Sequence, residues 1–451
     1  VIALHPLPDA AFDCPACGAA LTVVGWHMPG MRVLARLTCP ACARNYYGDL
    51  PTGQGIYHPS LLDLASGVVH APFPSWFADE LHDNFAAPRP GGLPVRVETF
   101  RPLHRPALLN CLDTFYGHCL EKLLNAQSAI EGGADLLIVV PAFLRWLVPD
   151  GAAEVWTVDV PLRAGAAWDE VFAGKMRDRL AALPTCDLIP AFPEPDPDRY
   201  QIERFTRIAP FDLSRWLESS DRPVVSYIWR DDRLWPEHYS KGYKRDLLDS
   251  ILRVVMRRPT LHEAYRARVM AVAECLRLRY PMLDFAVMGV GEPGGFAGAI
   301  TDLRTTRIDE VTEREWCARY ARSHVVIGIH GSNMLLPSAL AGGVVEIMEQ
   351  GRDGNIGQDI LPTPGLTARE AMVRYRFFST SASPQRVAHA VSSIIDLLPT
   401  YLLHYSRDAD DLTNLGSTRR TYAAALQRMQ RADIPQTDHL LNDNSVIRTK
   451  G

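Results

Sequence analysis

Ser323-His324-Val325-Val326-Ile327-Gly328-Ile329-His330-Gly331-Ser332-Asn333, running on to Val344-Val345-Glu346-Ile347-Met348, is the stretch that decides the fold class. Its two short apolar runs, rich in β-branched residues, read as buried parallel strands. A strand covered on both faces has no polar face to alternate with. The turn between them, His330-Gly331-Ser332-Asn333, concentrates the polar groups. A glycine followed by Ser and Asn predicts a helix start whose backbone N–H groups point outward. Such a terminus favours anions through its orphan donors and its dipole. At the carboxyl edge of a parallel sheet, that is where α/β proteins commonly bind nucleotides. From these residues alone, an ordinary strand-to-helix turn capped by Ser332 reads equally well.

Outward from this stretch the α/β pattern extends both ways. Towards the N-terminus it predicts strands at 284–288 and 300–304, helices at 247–256, 261–280 and 313–322, and a strand over Val224–Trp229. Before these come an amphipathic helix over 108–127, strands at 136–140 and 155–160, a helix over 168–182 and a short strand at 187–189. Two tail helices are expected at 384–398 and 418–431. Residues 58–92 are Pro-rich, with a short helical piece expected over Trp76–Phe85, and the run Ala87-Pro88-Arg89-Pro90-Gly91-Gly92 reads as a linker. The expected architecture is α/β: two Rossmann-like domains, 93–220 and 221–382, preceded by a small β module over 1–57 and a linker over 58–92, and followed by a helical tail over 383–451.

The chain has 451 residues, 47% of them apolar, enough for large cores. The net charge of −5 offers no global basic field for nucleic acid. No apolar run is long enough to span a bilayer and no signal-peptide pattern is present, so a cytoplasmic protein is expected. Cys111, Cys119, Cys186, Cys275 and Cys317 are scattered in apolar or helical contexts and read as reduced thiols, which fits that compartment.

The other cysteines form two knuckles, Cys14-Pro15-Ala16-Cys17-Gly18 and Cys39-Pro40-Ala41-Cys42, with strands expected between them at 21–26 and 33–37. Thiolates so spaced match a closed tetrahedral site for structural Zn2+; disulfides or a redox pair are the alternatives. A closed site leaves no coordination position for catalysis, and so small a module needs its metal to fold. The second knuckle and its tail through Gly55-Ile56-Tyr57 resemble small ribbons that precede or activate methyltransferases. That resemblance implies a docking module for a protein partner. Arg32, Arg36 and Arg44 make too thin a basic patch to predict a nucleic-acid contact.

Polar constellations flank the apolar strands. Arg230-Asp231-Asp232-Arg233 follows the strand Val224–Trp229, and a guanidinium fork pairs with phosphate bidentately. A surface Arg–Asp cluster that pairs within itself is the alternative. Asp113, His118 and Glu121 lie along the expected 108–127 helix, where His118 and Glu121 share a face. A His or carboxylate there can take a proton from a hydroxyl, or serve as a plain structural group. Gly289-Val290-Gly291-Glu292-Pro293-Gly294 fits G-x-G-x-x-G formally. The residues after it are a poor helix start, and a dinucleotide fingerprint requires a helix there, so a loop over a donor site fits better.

His330-Gly331-Ser332-Asn333-Met334-Leu335-Leu336, followed by Gly343-Val344-Val345-Glu346-Ile347, resembles the signature of glycosyltransferase family 61 and its relatives. Tyr116-Gly117-His118-Cys119-Leu120 and Ser226-Tyr227-Ile228-Trp229-Arg230-Asp231-Asp232-Arg233 resemble two further segments of that family, in the same order. The resemblance spans roughly residues 105–400. It implies a GT-B fold and inverting transfer of a sugar from a nucleotide-sugar donor to an acceptor hydroxyl, with no catalytic metal. By position it implies that Arg230, Arg233, the 330–333 turn and Glu346 face the donor and that His118 faces the acceptor. His118 is then the candidate base, with Glu121 and Asp113 behind it; Arg230, with the helix-terminal N–H groups, stabilises the departing diphosphate, and Glu346 holds the ribose or orders the turn. A strand-end carboxylate pairing with the neighbouring helix remains the other reading of Glu346. Cys119 stands where the family has an aromatic residue, and an N-terminal zinc ribbon is not typical of it. The expected protein is a bacterial two-domain glycosyltransferase. Its rivals are a non-catalytic scaffold recruiting partners through the ribbon and an S-adenosylmethionine-dependent methyltransferase.

Overall fold

Val325–Ile329 and Val344–Met348 are adjacent parallel strands with every residue buried. They belong to a six-stranded sheet ordered Ile300–Thr305, Asp284–Val290, Val224–Trp229, Val325–Ile329, Val344–Met348, Tyr375–Ser379, and every pair in it is parallel. Numbered along the chain, that order is 3-2-1-4-5-6. It reverses between Val224–Trp229 and Val325–Ile329, so connections leave these neighbours in opposite directions, the arrangement at whose carboxyl ends α/β sheets commonly bind ligands. Tyr227, Phe285, Ile327 and Ile347 share one core with Val269 and Leu276 of the helix Leu261–Arg279 and Val391 and Ile395 of the helix Pro384–Tyr405.

This computed structural model describes residues 1–192, 196–213, 216, 222–235, 261–296, 298–349, 351–363 and 366–405. The helices expected at 247–256 and 418–431 lie outside the described residues. The protein is mixed α/β and divides into two compact units. The first comprises Val1–Ala209, Asp309–Arg314 and Leu361–Gly365; the second comprises Pro210–Ile308, Glu315–Ile360 and Leu366–Gly451.

In the first unit, a six-stranded sheet runs Ile2–His5, Cys186–Leu188, Pro106–Asn110, Asp135–Pro141, Glu154–Val158, Val95–Thr99. Its inner pairs are parallel and both edge strands antiparallel. A five-stranded antiparallel meander, Thr22–His27, Leu34–Thr38, Asn45–Asp49, Leu61–Asp63, Val69–His70, carries the cysteine knuckles.

The structure departs from the sequence reading in several places. The apolar run inside 108–127 is not one helix: Pro106–Asn110 is a fully buried central strand, and the helix begins at Tyr116 and ends at Leu124. A short run such as Leu108-Leu109 suits a two-sided buried strand as well as a helix. The stretch 58–92 carries the last two meander strands, beside the helix expected from Trp76, which runs Trp76–Ala86. The cysteine module also has no core of its own. Trp26, Val33 and Leu37 pack in one cluster with Leu108, Leu137, Trp156 and Phe172 of the α/β layer, and Ile2–His5 is an edge strand of that layer's sheet. Among the described residues, no helix is long and apolar enough to cross a membrane.

Candidate functional site

The second unit gathers its polar groups where the strand order reverses. Arg230 directly follows Val224–Trp229, and His330 directly follows Val325–Ile329. Arg230 Nη1 donates to the His330 carbonyl oxygen (3.2 Å) and to Asn333 Oδ1 (2.8 Å). Arg233 Nη1 donates to the same carbonyl. Gly331 has φ 144°, a region L side chains avoid, and a Cβ there would lie 1.7 Å from Arg230 Nη1. Only glycine lets the guanidinium lie against the turn.

The turn leads into the short helix that the sequence suggests. Ser332–Met334 is a single 3-10 turn, followed by the helix Leu335–Leu340. Gly331, not Ser332, holds the cap position, and no side chain caps it. So short a helix contributes little dipole, and the positive charge of the site comes from arginine. Arg230 is largely satisfied already: besides the two Nη1 bonds, its Nε and Nη2 grip Asp232 at 2.8 and 2.6 Å. Arg233 has no carboxylate within ion-pair distance among the described residues. Burial, followed by the charges of Arg230 and Arg352, pulls its pKa below the ordinary value. Arg230 and Arg352 are paired with Asp232 and Glu349, which leaves Arg233 as the guanidinium that could take an anion.

Glu346 does not reach the surface. It is fully buried, and its Oε1 lies 2.9 Å from His330 Nδ1. Asp359 Oδ2, from the loop after the strand, lies 2.8 Å from the same nitrogen. Burial pulls His330 down, but the Asp359 and Glu346 carboxylates beside it outweigh that and raise it to about 9. Burial raises Glu346, against the pull of His330. These residues could also hold a metal ion, since their ligand atoms lie within 4.8 Å of one another. As it stands, the imidazolium supplies the positive charge between the two carboxylates. Glu346 contacts the turn through His330, with its own side chain shut off from solvent. The Gly289–Gly294 segment lacks the helix of a dinucleotide fingerprint: Asp284–Val290 leads on to the strand Ile300–Thr305, with no helix between them among the described residues.

In the first unit, the helix Tyr116–Leu124 brings His118 to Asp113, with Nδ1 3.1 Å from Oδ1. Lys122, one turn further on, donates from Nζ to Asp113 Oδ2 (2.6 Å) and to the Leu112 carbonyl (2.9 Å). Burial pushes the Asp113 carboxyl up, but Lys122 and the His118 hydrogen bond outweigh it and leave it well below the usual carboxylate range. Glu80, on the helix Trp76–Ala86, is raised by burial, and the charge of Asp113 adds to the effect. Glu121 is buried on the same helix as His118. The sequence reading missed Lys122 and Glu80. Lys122 lies four residues after His118 and so shares its helical face, which was a usable signal. For Glu80 and Asp359, which arrive from distant elements, there was none.

The knuckle cysteines Cys14, Cys17, Cys39 and Cys42 converge, all four sulfurs lying within 4.8 Å of one another. Cys14 and Cys42 sulfurs are 3.6 Å apart, and Cys17 and Cys39 sulfurs 3.5 Å. All four are free thiols, and the group could hold a metal ion. The Tyr46 hydroxyl, 3.4 Å from Cys14 Sγ, is the largest of the causes that bring that thiol to about 6.

No protein-family model matches the chain, and no curated protein matches it. Among solved structures the chain aligns with an AtxE2 isopeptidase variant with astexin3-dC4 bound, at 9% identity and a TM-score of 0.13. The alignment covers 92% of this chain and 58% of that one, so the chain spans little more than half of that protein's length. A likeness this faint carries no argument about fold or function.

Proposed function

We propose that the protein is a glycosyltransferase of the GT-B type that moves a sugar from a nucleotide-sugar donor to an acceptor hydroxyl with inversion and without a catalytic metal. One observation carries the reading. Arg230, Arg233 and the His330–Asn333 turn meet at the carboxyl ends of the two strands between which the sheet order reverses. That is the place where parallel α/β sheets bind nucleotides. The order 3-2-1-4-5-6 is that of a Rossmann-like domain, and the parallel strands of the first unit follow 3-2-1-4 in the same sense. The family 61 resemblance of the 330–347 segment points the same way.

On this reading, His118 accepts the proton of the acceptor hydroxyl through Nε2, while Asp113 holds Nδ1 and fixes the ring. The hydroxyl oxygen bonds to the anomeric carbon, the bond from that carbon to the diphosphate breaks, and the diphosphate leaves with the electron pair. Arg233 and Arg230 take up its charge. Magnitudes favour the arginines over the turn: a helix terminus contributes about 0.3–1 kcal/mol, whereas losing a positioned donor at a charge-developing site costs about 10²–10³ in rate. Arg233 carries more of this role than Arg230, whose fork is half occupied by Asp232. The cysteine cluster is read as structural Zn2+. Tetrahedral Zn–S bonds near 2.3 Å put sulfurs about 3.8 Å apart, close to the spacing of the Cys14–Cys42 and Cys17–Cys39 pairs.

The test is release of nucleoside diphosphate from a panel of nucleotide sugars, with Arg233→Ala beside the wild type. The reading expects turnover of at least one donor and a loss of about 10²–10³ in the variant. Turnover unchanged by Arg233→Ala would sink it. Metal analysis of unchelated protein should find about one zinc per chain; finding none would remove the zinc assignment.

A further inference from the structure

The cysteine-bearing meander ends against the residues that hold His118. Leu34–Thr38 ends and Asn45–Asp49 begins beside the second knuckle, Cys39–Cys42. At the far end of the same two strands the Leu50 N–H donates to the Val33 carbonyl (3.0 Å). Two loops at that end reach the Asp113 site. In one, the Gly30 and Met31 carbonyls accept from Asn110 Nδ2 at 3.0 and 3.1 Å, and Asn110 Oδ1 accepts from the N–H of Leu112, the neighbour of Asp113. In the other, Gly53 lies against the end of Lys122. Gly53 has φ 52°, a left-handed value that favours glycine, and a Cβ there would stand 2.8 Å from Lys122 Cε and 3.1 Å from Nζ. The Gly53 N–H donates to the Pro190 carbonyl (2.6 Å), which fastens the loop in place. Lys122 is buried, and its ammonium is held between this glycine and Asp113 Oδ2. The other carboxylate oxygen, Oδ1, takes the Thr114 N–H at 2.8 Å and faces His118 Nδ1 at 3.1 Å.

We propose that Gly53 and Lys122 are positioning residues for His118, so that the cysteine-bearing meander helps to build the site of the base. The inference rests on the glycosyltransferase reading for the role of His118, and it adds the residues that prepare that ring. Lys122 acts through Asp113. A neutral imidazole carries its proton on one nitrogen, and the hydrogen bond made at one nitrogen decides which. Asp113 Oδ1 only accepts, so it favours the Nδ1–H tautomer and leaves on Nε2 the lone pair that a base needs. That selection holds while Oδ1 faces the ring. The ammonium on Oδ2 keeps the carboxylate plane from turning, and Gly53 keeps the ammonium there. A Cβ on Gly53 meets the flexible end of Lys122, which is the part that yields, and Nζ then leaves Oδ2. A lysine that served only to neutralise a buried carboxylate would tolerate that displacement without any change at His118.

The experiment is nitrogen-15 NMR of the full chain with labelled histidine at about pH 8.5, above the ordinary imidazole range, the His118 signals being assigned by their loss in His118→Gln. Wild type should show the Nδ1–H tautomer, and Gly53→Ala should make Nε2–H the major form. Gly67→Ala is the control. Gly67 has φ 72° and a Cβ there meets nothing within 4 Å, so the substitution brings comparable backbone strain without the contact, and its His118 signals should match wild type. Lys122→Met keeps the apolar stem and removes Nζ; it should reproduce the Gly53→Ala change, and it carries the test if Gly53→Ala does not fold. In nucleoside-diphosphate release, both variants should lose about tenfold in kcat, part of the about 10²–10⁴ that a positioned base contributes, at unchanged KM for the donor. An Nε2–H tautomer in wild type, an Nδ1–H tautomer retained in either folded variant, or the same change in Gly67→Ala would overturn the proposal. Failure of the glycosyltransferase reading shows separately, as no diphosphate release from any donor while the tautomers still respond to Gly53 and Lys122.

Discussion

Each unit carries a histidine held by carboxylate, and the two are built to opposite ends. His118 sits on one carboxylate, Asp113, whose charge is shared with Lys122, and its side chain is 19% exposed. His330 sits on two carboxylates, Glu346 and Asp359, and only 2% of its side chain is exposed. The first ring can be reached from solvent. The second is locked as a buried cation. The same residue types therefore give a candidate base in one place and a strut under the Arg230–Arg233 turn in the other, and what separates them is the balance of charge and access to solvent.

Exchanging the two residues' fates would break that comparison. His118→Ala should cost about 10²–10⁴ in transfer rate, with little change in melting temperature. Equal activity in variant and wild type would remove His118 from the chemistry. His330→Ala should do the converse. It leaves two buried carboxylates without a cation, a change that typically costs about 3–5 kcal/mol, read by chemical denaturation. A variant as stable as wild type would show that the strut is not one.

How legible these sites were follows from the range of the interactions that make them. Val224–Trp229 and Val344–Met348 could be read to the residue, because each is a buried β-branched run bounded by polar or glycine punctuation. Asp113 and His118 could be picked out, yet the element around them was misplaced, since Leu108-Leu109-Asn110 satisfies a strand and a helix alike. Tyr375–Ser379 went unread as a strand because its Arg and Phe residues show no clean alternation. Asp359 could not be found at all. It reaches His330 from a loop, and nothing in local sequence encodes that meeting.

Smaller effects sharpen the comparison. His330 is raised from 6.5 to about 9, so its contribution to stability is full below pH 6.5 and is lost as pH rises through 9. Denaturation midpoints should therefore fall between those values in wild type and fall less in His330→Gln; parallel curves would contradict the assignment. Asp113 is shifted the other way. Its contribution is present above its ordinary value of 3.8 and is lost as pH falls below it. Asp113→Asn should flatten that acid limb, and an unchanged limb would place the acid sensitivity elsewhere.

The central claim is that the crevice where the strand order reverses binds a diphosphate on Arg233. Isothermal titration of a nucleoside diphosphate into wild type and Arg233→Ala tests it most directly. Binding to wild type that weakens at least tenfold in the variant, about 1.4 kcal/mol or more, is the result the account predicts. No binding to wild type, or equal affinity in the two proteins, would contradict it.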